Sequence, residues 1–258
     1  MVEKLTGFDF PVTVTSGHEE IARGIAKRTQ VARTWLSNLL AFEPAITVEV
    51  LGPEDWEERA EDVVYGLPHV NEAGTMYLAA TDSALFDDAV ALTFEHLRED
   101  WRAKFAASYG QPPSMHGFRD LLSIHELAHT YHVQAGFAIE PLWLREYFCN
   151  LALQGFVAEA EPSTLPVLET WPLAAAQIPP SRQGVGGLEM MSVEDPMTYV
   201  WYQLRLQLMA IRTWKTGGRD LLCSLYGACR DAAADGASLV PDRLPPEIAS
   251  LVIDWPNV

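Results

Sequence analysis

Basic residues are scarce in this chain. Its 258 residues include 18 Lys and Arg against 35 Asp and Glu, a formal charge of −17. A field of that sign repels phosphates, and no basic stripe offsets it, so nucleic acid is excluded as a partner. Cysteine is scarcer still. Cys149, Cys223 and Cys229 are an odd set in apolar helical segments, which reads as free buried thiols in a reducing compartment and not as a disulfide framework. No window reaches the run of about 18 apolar residues that a membrane span needs, so no membrane partner is expected. The opening M-V-E-K-L-T-G-F-D-F has neither the basic start nor the apolar core of a secretory signal, and a cytoplasmic location is expected. Internal repeats and heptad arrays are missing too, and nothing indicates an oligomeric state. What is present is 48% hydrophobic and 21% charged residues, the make-up of a globular enzyme with a large core.

The pattern along the chain changes from mixed to helical. Pro11 to Ser16 and Ile46 to Leu51 alternate as strands, with a helical pattern from Glu19 to Leu40 between them, and Thr75 to Ala80 is a third strand candidate. These predict a small twisted sheet with one covering helix. From Ser83 onward helices are expected over Ala84 to Ala107, Phe118 to Ala135, Leu142 to Val157, Tyr199 to Lys215 and Arg219 to Ala233, the last two separated by Thr216-Gly217-Gly218. The stretch from Glu161 to Glu194 is rich in proline and carries G-V-G-G at Gly184 to Gly187. It is too irregular for one long helix and suits a loop over a cleft.

Within the helix Phe118 to Ala135 stands His125-Glu126-Leu127-Ala128-His129. Histidines four apart lie on one helical face about a turn from each other, so both imidazoles can reach one ion. Glu126 beside them can take a proton from water at that ion and pass it to a leaving group. Leu121, Leu122, Ile124, Leu127, Ala128 and Tyr131 cover much of the helix circumference, so the helix is mostly buried, and buried histidines need partners that a metal supplies. His132 lies near the same face, but two turns from His125 is about 10 Å along the axis, too far to share the ion. The metzincin pattern requires glycine and histidine where this chain has His132 and Ala135, which excludes that family. Gly136 to Pro141 can reverse the chain and bring Glu146, in the next helix, toward the histidines.

The pair H-E-L-A-H and W-L-R-E-Y-F (Trp143 to Phe148) resembles the gluzincin metallopeptidases, above all the zinc aminopeptidases. That resemblance covers roughly Leu121 to Phe156. It implies one Zn2+ per chain held by His125, His129 and Glu146, with Glu126 as general base. Asn150, one turn after Glu146, takes the place of an aspartate in thermolysin-type members and can hydrogen-bond a ligand histidine. The family also uses a tyrosine to stabilise the oxyanion, and the corresponding window offers Tyr199 and Tyr202, between which the sequence does not choose. Gly74-Thr75-Met76-Tyr77-Leu78 resembles the family's G-x-M-E-N substrate-binding edge strand at Gly74 and Met76. Tyr77 stands where the amine-binding glutamate belongs, so an extended substrate can still pair with the strand but the anchor for a free α-amine is missing.

The expected architecture is α+β: a zincin-like, gluzincin catalytic domain in one unit. Residues 1–135 form a sheet-and-helix lobe with the metal helix, and residues 136–258 a helical lobe that supplies the third ligand. The expected activity is that of a zinc metallopeptidase acting on peptides. The alternatives are a zinc hydrolase or biosynthetic enzyme acting on a small molecule, and a non-catalytic metal-binding protein.

Overall fold

Apolar alternation in the N-terminal third builds a sheet with two different faces. The structure, a computed structural model, describes residues 1–60, 62–176, 185–190, 196–236, 243–253 and 255. Strands β1 (Val2–Leu5), β2 (Val12–Thr15), β3 (Thr47–Leu51), β4 (His69–Val70) and β5 (Thr75–Ala79) form one mixed sheet in the order β1-β2-β3-β5-β4. The three inner strands are parallel, and the outer two are antiparallel to their neighbours. Val12, Val14, Val48, Val50, Met76 and Leu78 enter the main core. Their neighbours Leu51, Tyr77 and Ala79 turn to the opposite face and a smaller cluster, as the period of two requires. Helix α1 (Glu19–Leu40) makes the crossover from β2 to β3 and buries Ala22, Ile25, Ala26, Ala32 and Leu36. The expected single covering helix is joined by α2 (Pro53–Arg59), whose Trp56 packs on the second face and whose Arg59 pairs with Glu49 of β3.

The rest of the chain is helical, and the fold as a whole is α+β and mostly helix. The helices are α3 (Ala84–Glu95), α4 (Glu99–Tyr109), α5 (His116–Val133), α6 (Leu142–Ala160), α7 (Leu165–Ala175), α8 (Pro196–Ala234) and α9 (Pro246–Ile253). The helix expected from Ala84 to Ala107 is two, because the chain turns at His96 to Arg98 and Leu97 inserts into the core. The proline-rich stretch is not all loop. Pro166 sits in the first turn of α7, where a missing N–H leaves no intrahelical bond unmade, and Leu168 and Trp171 anchor the helix in the core. Of the stretch from Glu161 to Glu194, residues 177–184 and 191–194, on which part of the expected covering loop falls, lie outside the described residues. Helix α8 breaks at Gly218 (φ 54°, ψ −135°), within the anticipated Thr-Gly-Gly.

One hydrophobic cluster extends from Phe10 to Trp255 through both lobes. Helix α6 is buried along almost its whole length and packs against α5 and α8. Helices α6 and α8 come close at Gly155, where an added Cβ would lie 2.5 Å from the Trp214 ring of α8. Among the described residues no helix is long and apolar enough to cross a membrane.

Candidate metal centre

Helix α5 is held from both sides. Leu121, Ile124, Leu127, Ala128 and Tyr131 are fully buried, and the Tyr131 hydroxyl donates to the Arg33 carbonyl of α1 at 2.8 Å. This clamp fixes the face that carries His125 and His129, and α6 lays Glu146 against it. The Nε2 atoms of the two histidines are 3.2 Å apart. Glu146 Oε2 lies 3.2 Å from Nε2 of His125 and 3.7 Å from Nε2 of His129. An ion bound tetrahedrally at about 2.0–2.1 Å would set its ligand atoms roughly 3.3 Å apart, so the three donors already stand at the edges of such a site.

Hydrogen-bond direction decides which nitrogen of His125 is bare. A carboxylate only accepts, so the Gln203 amide must present Nε2 to Glu146 Oε2, at 2.7 Å. Gln203 Oε1 then accepts from Asn150 Nδ2 at 3.0 Å, which turns Asn150 Oδ1 toward His125 Nδ1 at 3.2 Å. His125 therefore donates through Nδ1 and, when neutral, points the lone pair of Nε2 at His129 and Glu146. Lone pairs and a carboxylate converging in a buried place repel unless a cation or a proton sits among them. Without an ion a proton takes that role: burial disfavours a charged His125, but the hydrogen bond it donates to Glu146, the charges of Glu126 and Glu146 and the hydrogen bond to Asn150 together outweigh burial and raise the His125 pKa. Burial alone would raise the Glu146 pKa; the adjoining histidines and the Gln203 amide hold it well below the usual carboxylate range. Burial depresses His129 to about 3, leaving it neutral.

Glu126 borders the cleft beside these donors, and burial pushes its pKa up to about 7. Of the two tyrosines considered, the structure brings only Tyr199 to the site. Tyr199 lines the cleft, and its oxygen accepts from Gln203 Nε2 at 2.8 Å. Burial, with Glu146 and Glu126 nearby, raises its pKa well above that of a free phenol. Tyr202 is 0% exposed and stacked on Trp255 with ring centroids 6.0 Å apart, so it belongs to the core, and the reading of it as an oxyanion donor is corrected. His132 lines the cleft but is turned away from the three donors, its Nδ1 donating to the Phe137 carbonyl at 3.3 Å.

A further donor was not anticipated. The Cys149 sulfur stands within 4.8 Å of donor nitrogens of His125 and His129. Burial raises this thiol's pKa well above its usual value, and Glu146 and Glu126 add to the effect. Cys149 is one helical turn past Glu146, so the helical period brings both to the histidines. His125 and His129, with Glu146 or Cys149, could hold a metal ion.

The cleft has a volume of about 380 Å³. Its wall opposite α5 is β4 and the residues around it, and this corrects the substrate-strand reading of Gly74, Met76 and Tyr77. β5 is not the sheet edge: β4 pairs with it, His69 to Tyr77 and Val70 to Met76. Met76 is 0% exposed in the main core, and Tyr77 stacks on His69 with centroids 4.8 Å apart. Only Gly74 borders the cleft, and its role is in the chain turn. Its N–H closes a turn to Asn71 at 2.9 Å, its φ is +82°, and a Cβ would come 2.6 Å from the Ala45 carbonyl oxygen. Glu72 and Arg145 also line the cleft.

Sequence reasoning missed Gln203, and with it Gln154 and Gln207. The signal was there: Glu146, Asn150 and Gln154 recur every fourth residue in apolar α6, as Tyr199, Gln203 and Gln207 do in α8, and residues four apart share a helical face. Comparison of the chain with protein-family models, with curated proteins and with solved structures finds no match.

Proposed function

We propose that this chain is a zinc-dependent hydrolase, akin to a reduced gluzincin catalytic domain, that cleaves peptide bonds. The observation carrying this reading is the convergence of His125 Nε2, His129 Nε2 and Glu146 Oε2 at 3.2, 3.2 and 3.7 Å. Three protein ligands beside an open cleft suit a catalytic zinc, which keeps a fourth position for a reactant. Bound zinc supplies Lewis acidity, polarising a carbonyl and making water nucleophilic near neutral pH. Glu146 is preferred to Cys149 because its oxygen completes the triangle and is held there by Gln203.

The protein's own groups do the rest. Glu126 takes the proton of the attacking water as the new C–O bond forms, then delivers it to the amide nitrogen as the C–N bond breaks, and is regenerated. Because Gln203 donates to the Tyr199 oxygen, the phenol's own proton is free to stabilise the carbonyl oxygen as it gains charge. The backbone of β4, at the sheet edge, offers pairing to an extended peptide. A non-peptide amide or ester is the second reading. It is favoured by a cleft of about 380 Å³, within the range of roughly 300–1,000 Å³ usual for small-molecule sites.

Metal analysis of the purified chain, with a peptide-library digest, tests the proposal. About one zinc per chain is expected, and His129→Ala should lose it. Unaltered metal content in that variant overturns the ligand assignment; zinc without peptide cleavage moves the substrate to the second reading.

A further inference from the structure

Beyond Glu126 and Tyr199, which border both spaces, the cleft adjoins a second cavity of about 70 Å³. One water occupies about 10–15 Å³ of such space, so there is room for a side-chain-sized group. The walls are apolar: Phe86 of α3, Phe118 and Leu122 of α5, Leu153 of α6 and Leu204 of α8. At the end nearest the metal donors, His125, Asn150 and Gln203 also border it, but each of these is hydrogen-bonded, and Gln207 is the polar lining residue with an atom left over. It borders the cavity at 3% exposure, and its Oε1 has no hydrogen-bond partner among the described residues.

The orientation of that amide follows from the groups behind it. Glu169, paired with Lys215 at 3.6 Å, can only accept, so Gln154 gives it Nε2 at 2.7 Å. Gln154 Oε1 then faces Gln207 and accepts from its Nε2 at 2.9 Å. Flipping Gln207 would set two carbonyl oxygens against each other, so the acceptor is the atom left over. A buried acceptor with no donor is costly, and native interiors seldom keep one. A ligand group with a second acceptor or a carboxylate at its tip would meet repulsion there. A purely apolar group would leave the oxygen unpaired, whereas one neutral donor would satisfy it.

We infer that this cavity is a specificity site for an apolar group ending in a single hydrogen-bond donor, of which a phenol is the simplest case, with Gln207 Oε1 as the acceptor. The inference rests on the hydrolase reading only in assigning that group to a substrate; binding itself requires neither metal nor turnover.

The test titrates the whole chain with p-cresol and, separately, with toluene, following methyl resonances by NMR. Both ligands should shift Leu122, Leu153 and Leu204. In Gln207→Leu the ratio of the two affinities should move toward toluene by on the order of tenfold, the value of one buried hydrogen bond. Gln207→Met serves as a second variant should the first not fold. Shifts confined to other methyls, or a ratio within about twofold of the parent's in the folded variants, overturn the inference. If cresol binds as described while the zinc-loaded chain cleaves no peptide, the site stands and the peptidase reading falls.

Discussion

Glu146, Asn150 and Gln154 on α6 face Tyr199, Gln203 and Gln207 on α8, and the two ends of this polar seam differ in what they leave unsatisfied. At one end a carboxylate, Glu146, orients Gln203, then Asn150, then His125, and the chain finishes on a lone pair facing two further donor atoms. At the other end Glu169 orients Gln154 and then Gln207, and the chain finishes on one unpartnered carbonyl oxygen beside a largely apolar cavity. The same device, a carboxylate that can only accept, sets the direction of both relays. Several electron-pair donors converging on one point suit a cation, whereas one unpartnered acceptor in a largely apolar cavity suits a neutral donor.

The largest expected effect isolates the chemistry at the first end. Glu126→Gln keeps the shape and removes the base, so zinc should remain while turnover drops by on the order of 10²-fold or more. Undiminished turnover in this variant would remove Glu126 from the mechanism. Tyr199→Phe takes away the proposed oxyanion donor and should lower kcat by on the order of 10²-fold with KM little altered. Tyr202→Phe should leave kcat where it was. A larger loss from Tyr202→Phe than from Tyr199→Phe would reverse the assignment of the two tyrosines.

A third pair of variants separates the relays. Asn150→Leu frees the Nδ1 hydrogen of His125, and metal affinity measured against a competing chelator should weaken by about 10–100-fold. Gln154→Leu should leave metal affinity unaltered and lower unfolding stability by about 1–3 kcal/mol, because Gln207 Nε2 loses its buried partner. Equal metal loss in both variants would show that the seam acts as one network. The smallest effect concerns the β4 side of the cleft. Tyr77 is not a carboxylate and is not among the residues that line the cleft, so N-acetylated peptides should be cleaved at least as well as unblocked ones. A strong preference for free amines would point to Glu72 as their anchor.

How much of this was legible depended on whether a feature lay within one helix. His125, Glu126 and His129 share a short segment whose period alone places them together, whereas Glu146 and Asn150 came from the resemblance of W-L-R-E-Y-F to the gluzincins, with a connection long enough to reverse the chain. β4 escaped notice because two residues cannot display an alternation. Its absence from the sequence reading made β5 look like an edge and Met76 and Tyr77 look like substrate contacts. Tyr199 and Tyr202 are three apart and equivalent by period; the stack of Tyr202 on Trp255 distinguishes them, and Trp255 lies more than fifty residues away. Cys149 was read only as a buried thiol, although it lies one helical turn past Glu146; its approach to the histidines shows only once α6 packs on α5.

Helical period, which is local, determined from the sequence that two imidazoles would share one face of α5 with a carboxylate beside them. Which further groups reach that face was decided by the packing of α6 against α5 and α8 and by β4 closing the sheet edge. Those contacts join residues far apart in the chain, His125 with Glu146 at 21 positions and Glu146 with Gln203 at 57, and only burial of apolar surface between whole elements brings such residues within hydrogen-bond reach.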